Sequence, residues 1–540
     1  MEKCSARTNS DGTRGAVKPP RPAQTGLKLR LDFFASPVIH LIGMRSKLIL
    51  LISCVVFVFA GCKRSGPSGA SSKAIDSAET SASADTTDSS LIDTNEIPIF
   101  NPKKAEARDA LLKWNRQTLG KAYDQTGDHD RKWDAHVRRA LEEYALYRAE
   151  ANPGPHGPRA RNATELAMNA GCKDGLIVYI NARFSPGELT EPETANRLID
   201  AALRLYSTKY HPIRRFYGSR WAMDALRRQK PYPQAQAGGM FDHLITDLQQ
   251  TLADKGIPDQ ELYELGVNYI DEFCWSTNGN QSFDPIEPAL MAGREKSAVA
   301  HFLKGRYLYK QAWASRGGGY ADKVSTAGFA QFEKKLRDAE ASLTKAWSLD
   351  DTDYRIATLM IEVAIGLGYE RPAMEIWFDR AMKTNPGNYD ACYSKMRYLM
   401  PVWHGSYEEM IAFGRACVES KGWRGRVPLI LIDAHAWAKG WSPAKETYWL
   451  QPAVWPDLHA SFEKFFQLNP NAVSWHHNYA WHANACQQWE ELQRQLDIIA
   501  PRVNYDYFGG YSEFEKMQRN AAEKTGRTPD SKIKAAEVSR

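Results

Sequence analysis

The chain has 540 residues, a formal net charge of +6, 43% hydrophobic residues, sixteen tryptophans and eight cysteines. Residues 1–61 hold nine Lys/Arg against three acids, and the rest of the chain carries 61 charges of each sign. With no net charge beyond residue 61, the chain has no general attraction for polyanions, and a nucleic-acid partner is not expected.

Met44-Arg45-Ser46-Lys47 leads into an apolar run from Leu48 to Phe59, followed by Ala60-Gly61-Cys62. That run falls well short of the roughly 20 residues that span a bilayer. Two cations, a short apolar segment and small residues before a cysteine resemble a bacterial lipoprotein signal. The resemblance implies cleavage before Cys62 and lipidation of Cys62, although Phe59 is bulkier than the leucine usual three residues before the cysteine. Such signals begin at their cationic end, so translation is expected to start at Met44, with residues 1–43 an over-called or disordered start. Residues 44–61 are then the signal peptide. Residues 62–96 are mostly Ser, Ala, Thr, Asp and Gly, the composition of a disordered tether. Lys63 after the cysteine implies, by the same resemblance, outer-membrane delivery. The expected address is the cell envelope, lipid-anchored on the periplasmic side or at the cell surface.

From residue 97 onward the apolar residues recur with helical period. In the region 97–290 the predicted helices are Ala105–Ala122, Trp133–Ala149, Pro192–Tyr206, Pro212–Arg228, Met240–Lys255 and Asp259–Phe273. Leu176 to Ile180 reads as either a strand or a buried helix. Breakers punctuate the rest: Asn152-Pro153-Gly154-Pro155, Pro231-Tyr232-Pro233, Gly238-Gly239 and Gly317-Gly318-Gly319. Asp124, Asp128, Asp130 and Asp134 crowd one turn. They lack the order of a calcium loop and read as a solvated, helix-capping turn. The glycine triplet lacks the flanking strand and Lys-Ser/Thr of a phosphate loop.

The region 291–505 opens with a helix over Lys296–Trp313 and then repeats. Lys345 to Tyr354 aligns with Arg380 to Tyr389 at a spacing of 35 residues, and a third ending, Phe465 to Asn471, follows 84 residues after the second. The last spacing places an insertion at 421–457. Pro372 suits a first helical turn, and Ser406 with Glu409 forms a capping-box pattern, with Gly422 available to close that helix. These units resemble degenerate tetratricopeptide-type repeats, whose period is about 34 residues. Ala339 to Ala500 also resembles an uncharacterised bacterial family known only as a domain of unknown function. Both resemblances imply an all-α superhelix of paired helices and neither brings a catalytic residue. Residues 506–540 read as a polar C-terminal tail.

Nine of the sixteen tryptophans lie between Trp403 and Trp489. Trp437, Trp441, Trp449 and Trp455, with Tyr448, form the candidate binding surface, because aromatic faces stack on sugars or anchor peptides. Core packing between imperfect repeats competes with that reading. Turns around Trp441 and Trp455 favour partial exposure. Histidines 476, 477 and 482 miss the i, i+4 geometry of a helical zinc pair. Asp433 with His435, and Asp457 with His459, point to different helix faces and make no dyad. Cys172, Cys274, Cys392, Cys417 and Cys486 are too scattered for a disulfide framework and read as buried thiols. No cofactor, metal or catalytic constellation is expected. The expected function is a lipid-anchored scaffold for a protein or peptide partner, with glycan or peptidoglycan binding by the tryptophan-rich insertion as the alternative and an enzyme third.

Overall fold

The computed structural model describes residues 102–150, 154–185, 192–274, 286–317 and 323–527. Cys62, the signal and tether segments, and Gly318-Gly319 lie outside the described residues. Every regular element among those described is helical. α1 (Pro102–Arg116) passes through a π-helical turn, Gln117–Lys121, into α2 (Ala122–Thr126). There follow α3 (Asp134–Ala149), α4 (His156–Asn169), α5 (Gly175–Phe184), α6 (Pro192–Tyr206), α7 (Pro212–Arg228), α8 (Gln234–Ala253) and α9 (Asp259–Phe273). After the short α10 (Glu287–Met291) come α11 (Ala298–Arg316), α12 (Thr326–Leu349), α13 (Tyr354–Leu367) and α14 (Arg371–Thr384). The chain continues through α15 (Tyr389–Tyr398), α16 (Tyr407–Glu419), α17 (Ile430–Trp441), α18 (Val454–Leu468), α19 (Trp475–Ala485), α20 (Trp489–Ile499) and α21 (Tyr511–Thr525).

Local chemistry sets many of these boundaries. Side chains of Asp174, Ser297, Ser325, Asp353, Asn388 and Ser406 each accept from a backbone N–H in the first turn of the helix they precede, which satisfies donors no helix can satisfy itself. Gly368 ends α13 in the left-handed region with φ 68°. At Ser406 only half of the capping box forms, because the Glu409 carboxylate turns away to Arg371 at 2.8 Å.

Adjacent helices pack in pairs, α3 on α4, α5 on α6, α7 on α8, and then α11 on α12 through α19 on α20. The pairs stack into a superhelix. The paired pattern therefore reaches into the N-terminal half, where no repeat was legible. Leu176 to Ile180 lies in helix α5, and Gly238-Gly239 lies inside α8, where both positions face open space and the connection expected there is absent.

Three domain readings need correction. One continuous apolar core runs from Leu111 to Val363, so no break falls at residue 290. α13 is buried on both sides, its Leu359 and Val363 in that core and its Ala357 and Ile361 in the next. Residues 421–457 are not an insertion. The 84-residue spacing holds two whole helix pairs, α15/α16 and α17/α18, and the first helices of successive pairs start at Tyr354, Tyr389, Ile430 and Trp475. The tail also begins later than residue 506, because α21 buries Phe514, Met517, Ala521 and Ala522 against α20 and covers that end of the stack.

First helices α9, α11, α13, α15 and α17 touch one another directly in sequence. The second helices α12 and α14 meet through an edge-on pair, Trp347 and Trp377, with ring centroids 5.7 Å apart. α14 and α16 meet through Phe378 and Phe413 in the same way. Second helices α16 and α18 also touch directly, and stacked helix pairs of this kind present the free face of their first helices as one extended groove.

Candidate functional site

The five residues chosen from the sequence do not form one surface. Trp441, at the end of α17, is 40% exposed. Tyr448 and Trp449 are core residues, correcting their place in a binding surface. The short 3-10 segment Lys445–Leu450 folds back on α17 and α18 and carries both inside, where Trp449 packs edge-on against Trp481 and His482. Trp455 is half-buried and stacks on His459 and Tyr479. Trp437 turns the other way, its indole N–H donating to the Tyr393 hydroxyl at 3.1 Å.

The histidines pair across helices. Asp433 and His435 do face apart, but His435 meets Asp457 of the neighbouring helix at 2.9 Å and accepts from the Tyr448 hydroxyl at 2.9 Å. Burial works to raise the Asp457 carboxyl, yet its bonds to His435 and Arg415 win and hold it below the ordinary range. The result is a latch between α17 and α18 with both imidazole nitrogens engaged. His477 and His482 are buried. His482 donates through Nδ1 to the Asn478 carbonyl, its Nε2 has no partner, and burial pushes it down to about 4. Among the described residues no three His, Cys, Asp or Glu side chains are grouped to hold a metal ion. The aspartate turn is closed by its own bonds, Asp134 accepting from Tyr123 at 2.7 Å and Asp130 from the Lys132 amide at 2.8 Å. All five described cysteines are free and buried.

The residues the sequence reading missed run along the first helices, some at their free face and some buried just behind it. On α9 stand Tyr263 and Asp271, and on α11 Arg306, Tyr309 and Lys310. Asp271 receives Arg306 at 2.6 Å and Lys310 at 2.6 Å. Burial raises the Asp271 carboxyl, and the two cations more than reverse this, leaving it below the ordinary range. Lys310 pays for its place: burial brings its ammonium down to about 8. Arg355, at the start of α13, grips Asp353 with two bonds of 2.7 and 2.6 Å and lies 3.8 Å above the Tyr263 ring.

Further along, Arg397 of α15 reaches Glu362 of α13 at 2.5 Å, and the Tyr309 hydroxyl donates to the same oxygen at 3.2 Å. The Tyr389 hydroxyl bonds Asp433, whose carboxyl burial nonetheless raises to about 6. Tyr389 and Tyr393 stack at 6.2 Å, and Arg426 lies 4.7 Å over the Tyr389 ring. These groups form a ladder of cations, carboxylates and aromatic rings along the first helices, in which Tyr263, Arg355, Tyr389, Tyr393 and Arg397 keep part of their surface over the buried Arg306, Tyr309, Lys310 and Glu362. Bidentate and stacked contacts hold these arginine and tyrosine side chains in fixed rotamers.

A periodic signal for this wall was present in the sequence. Tyr389, Tyr393 and Arg397 are spaced i, i+4, i+8, as are Tyr354, Thr358 and Glu362, and Arg306 with Lys310 and Asp433 with Trp437 are i, i+4 pairs. Each puts polar or aromatic side chains on one helix stripe. No family model and no curated protein matches the chain.

Proposed function

We propose that the chain is a lipid-anchored envelope scaffold that captures a protein or peptide partner in the groove of its first helices. The single observation behind this reading is the ordered wall that runs from Tyr263 to Trp437 across five consecutive first helices. Tyrosine, tryptophan and arginine are the side chains that carry most binding energy at protein interfaces. A helical stack offers them as one extended surface. The tetratricopeptide-like resemblance agrees with this use. The envelope address rests on Met44 to Cys62 and its resemblance to a lipoprotein signal, and the tether of residues 62–96 would let the body reorient above the membrane.

A glycan reading keeps one specific support, the exposed Trp441 beside the exposed Leu450 in sequence order around the 442–450 turn. Crosslinking in living cells followed by identification of what is captured separates the two. A recurring protein partner supports the scaffold. Retention on peptidoglycan that fails with Trp441→Ala, and no recurring protein, supports the glycan reading and overturns the scaffold.

A further inference from the structure

The ladder of ion pairs continues toward the N-terminus. As Arg306 of α11 grips Asp271 of α9, so Arg220 of α7 grips the next residue of α9, Glu272, with its Nε 3.1 Å from each carboxylate oxygen. Beyond this pair the contacts change in kind. Two guanidiniums lie on the half-buried ring of Trp221, that of Arg220 at 4.6 Å and that of Arg183, from the last turn of α5, at 3.7 Å. Two turns after Arg220 on the same stripe of α7, Arg227 lies 4.4 Å from the centre of the Phe273 ring of α9. From Phe216 to Arg228 the side chains of α7 that are not buried are Arg220, Trp221, Asp224, Arg227 and Arg228, so this cluster is the whole open stripe of the helix.

Stacking takes the faces of these cations and leaves their edges. A guanidinium over an aromatic ring keeps its N–H donors in its own plane, where an oxygen can reach them. Arg220 spends that edge on Glu272, and Asp224 goes to Arg228 at 3.4 Å. Arg183 and Arg227 have no hydrogen bond or ion pair among the described residues. Cations in the last turns of α5 and α7 also suit the carbonyl ends of those helices. That attraction acts within each helix and does not carry Arg183 across to a ring of α7. Arg380, stacked on Trp347 and Trp377, is the solitary case, one cation set among the second helices.

We propose that Arg183 and Arg227, held on Trp221 and Phe273, form a subsite for the acidic side chains of an extended partner peptide at the N-terminal end of the groove. The proposal rests on the first-helix face being the partner-binding surface. Charge selects the occupant. The chain beyond residue 61 carries 61 charges of each sign, so unpaired arginines gathered on one stripe are a local excess that draws a carboxylate to this place. A carboxylate then accepts two parallel N–H bonds from a guanidinium edge that stacking has already oriented.

The test uses the full chain and three fluorescein-labelled Gly-Ser peptides carrying glutamate, arginine or glutamine at alternate positions, followed by anisotropy at about 50 and 300 mM salt. The glutamate peptide is expected to bind best and to weaken with salt. Arg183→Gln combined with Arg227→Gln weakens it about tenfold, whereas Arg380→Gln, the same loss of a stacked charge elsewhere, leaves it unchanged. Trp221→Leu weakens it although every charge remains, and Trp221→Phe restores it, a difference that surface charge alone does not produce. The two arginines hold no hydrogen bond, so their double variant keeps the wild-type melting temperature and decides the matter even where Trp221→Leu fails to fold. Equal affinity of wild type and the double variant, no binding of the glutamate peptide, or preference for the arginine peptide overturns the subsite. Binding to phosphatidylglycerol vesicles without binding to the glutamate peptide also overturns it and gives the arginines to a lipid headgroup. If a crosslinker at Tyr263 still captures a protein in cells, only the subsite is lost. If groove crosslinkers capture none, the groove reading falls with it.

Discussion

Arg397→Met tests how the groove wall is built. Glu362 has no exposed surface, and Arg397 is 13% exposed at its side chain, with 2.5 Å between Nη1 and Oε2. Removing the guanidinium leaves a buried carboxylate with one hydroxyl, Tyr309, to bond it. Breaking a buried pair from one side costs about 3–5 kcal/mol, and the slight exposure of Arg397 moves the expectation to about 2–4 kcal/mol. The double variant Glu362→Leu with Arg397→Met removes both charges and restores packing volume, so it is expected within about 1 kcal/mol of wild type. Urea unfolding followed by the helical circular dichroism signal measures all three proteins, with hydrogen exchange in α13 and α15 localising the loss if the stack melts in stages. A single variant as stable as wild type, or a double variant less stable than either single, would refute the buried-pair reasoning.

Other outcomes follow from the same structure. Burial lowers His482 to about 4, below an unfolded value near 6.5, so its neutral form contributes stability above pH 6.5 that is lost as pH falls toward 4. The amount is about 2–4 kcal/mol, and melting curves of His482→Phe against wild type at pH 7 and pH 4.5 should show a much smaller acid loss in the variant. The raised Asp433 works oppositely and cancels in that difference. A methyl at Gly414 would sit 2.8 Å from the Leu431 Cα, whereas one at Gly238 meets nothing within 4 Å. Gly414→Ala should therefore cost about 1–3 kcal/mol despite better helix propensity, and Gly238→Ala should gain up to about 1 kcal/mol, both read as unfolding midpoints. Trp441→Ala should leave stability within about 0.5 kcal/mol, and Trp449→Ala should lose about 3–5 kcal/mol. Equal losses would show that the two indoles do not differ in burial.

Helices were legible where amphipathic period and terminal chemistry agreed. Pro192–Tyr206, Pro212–Arg228 and Asp259–Phe273 match their predicted bounds because a proline or an aspartate marks each start. α8 begins earlier than predicted because Gly238 and Gly239 are tolerated inside a long helix whose Leu244, Leu248 and Leu252 are buried. The functional face was harder to read. Tryptophan density pointed to residues 437–455, yet backbone folding at 445–450 decides which rings stay outside, and no spacing rule encodes it. The groove residues were hidden for another reason. A charged residue on a helix reads as solvent-facing until its partner is known, and these partners lie one or two helices away, as Glu362 and Arg397 do.

Photo-crosslinking in living cells from single groove positions tests the central claim most directly. A benzophenone side chain replaces Tyr263 or Tyr393 on the first helices, with Ile376 on α14, 52% exposed, as the outer-face control. The account predicts that the groove positions capture the same protein partner and that Ile376 does not. Capture from Ile376 with none from Tyr263 or Tyr393 would contradict it.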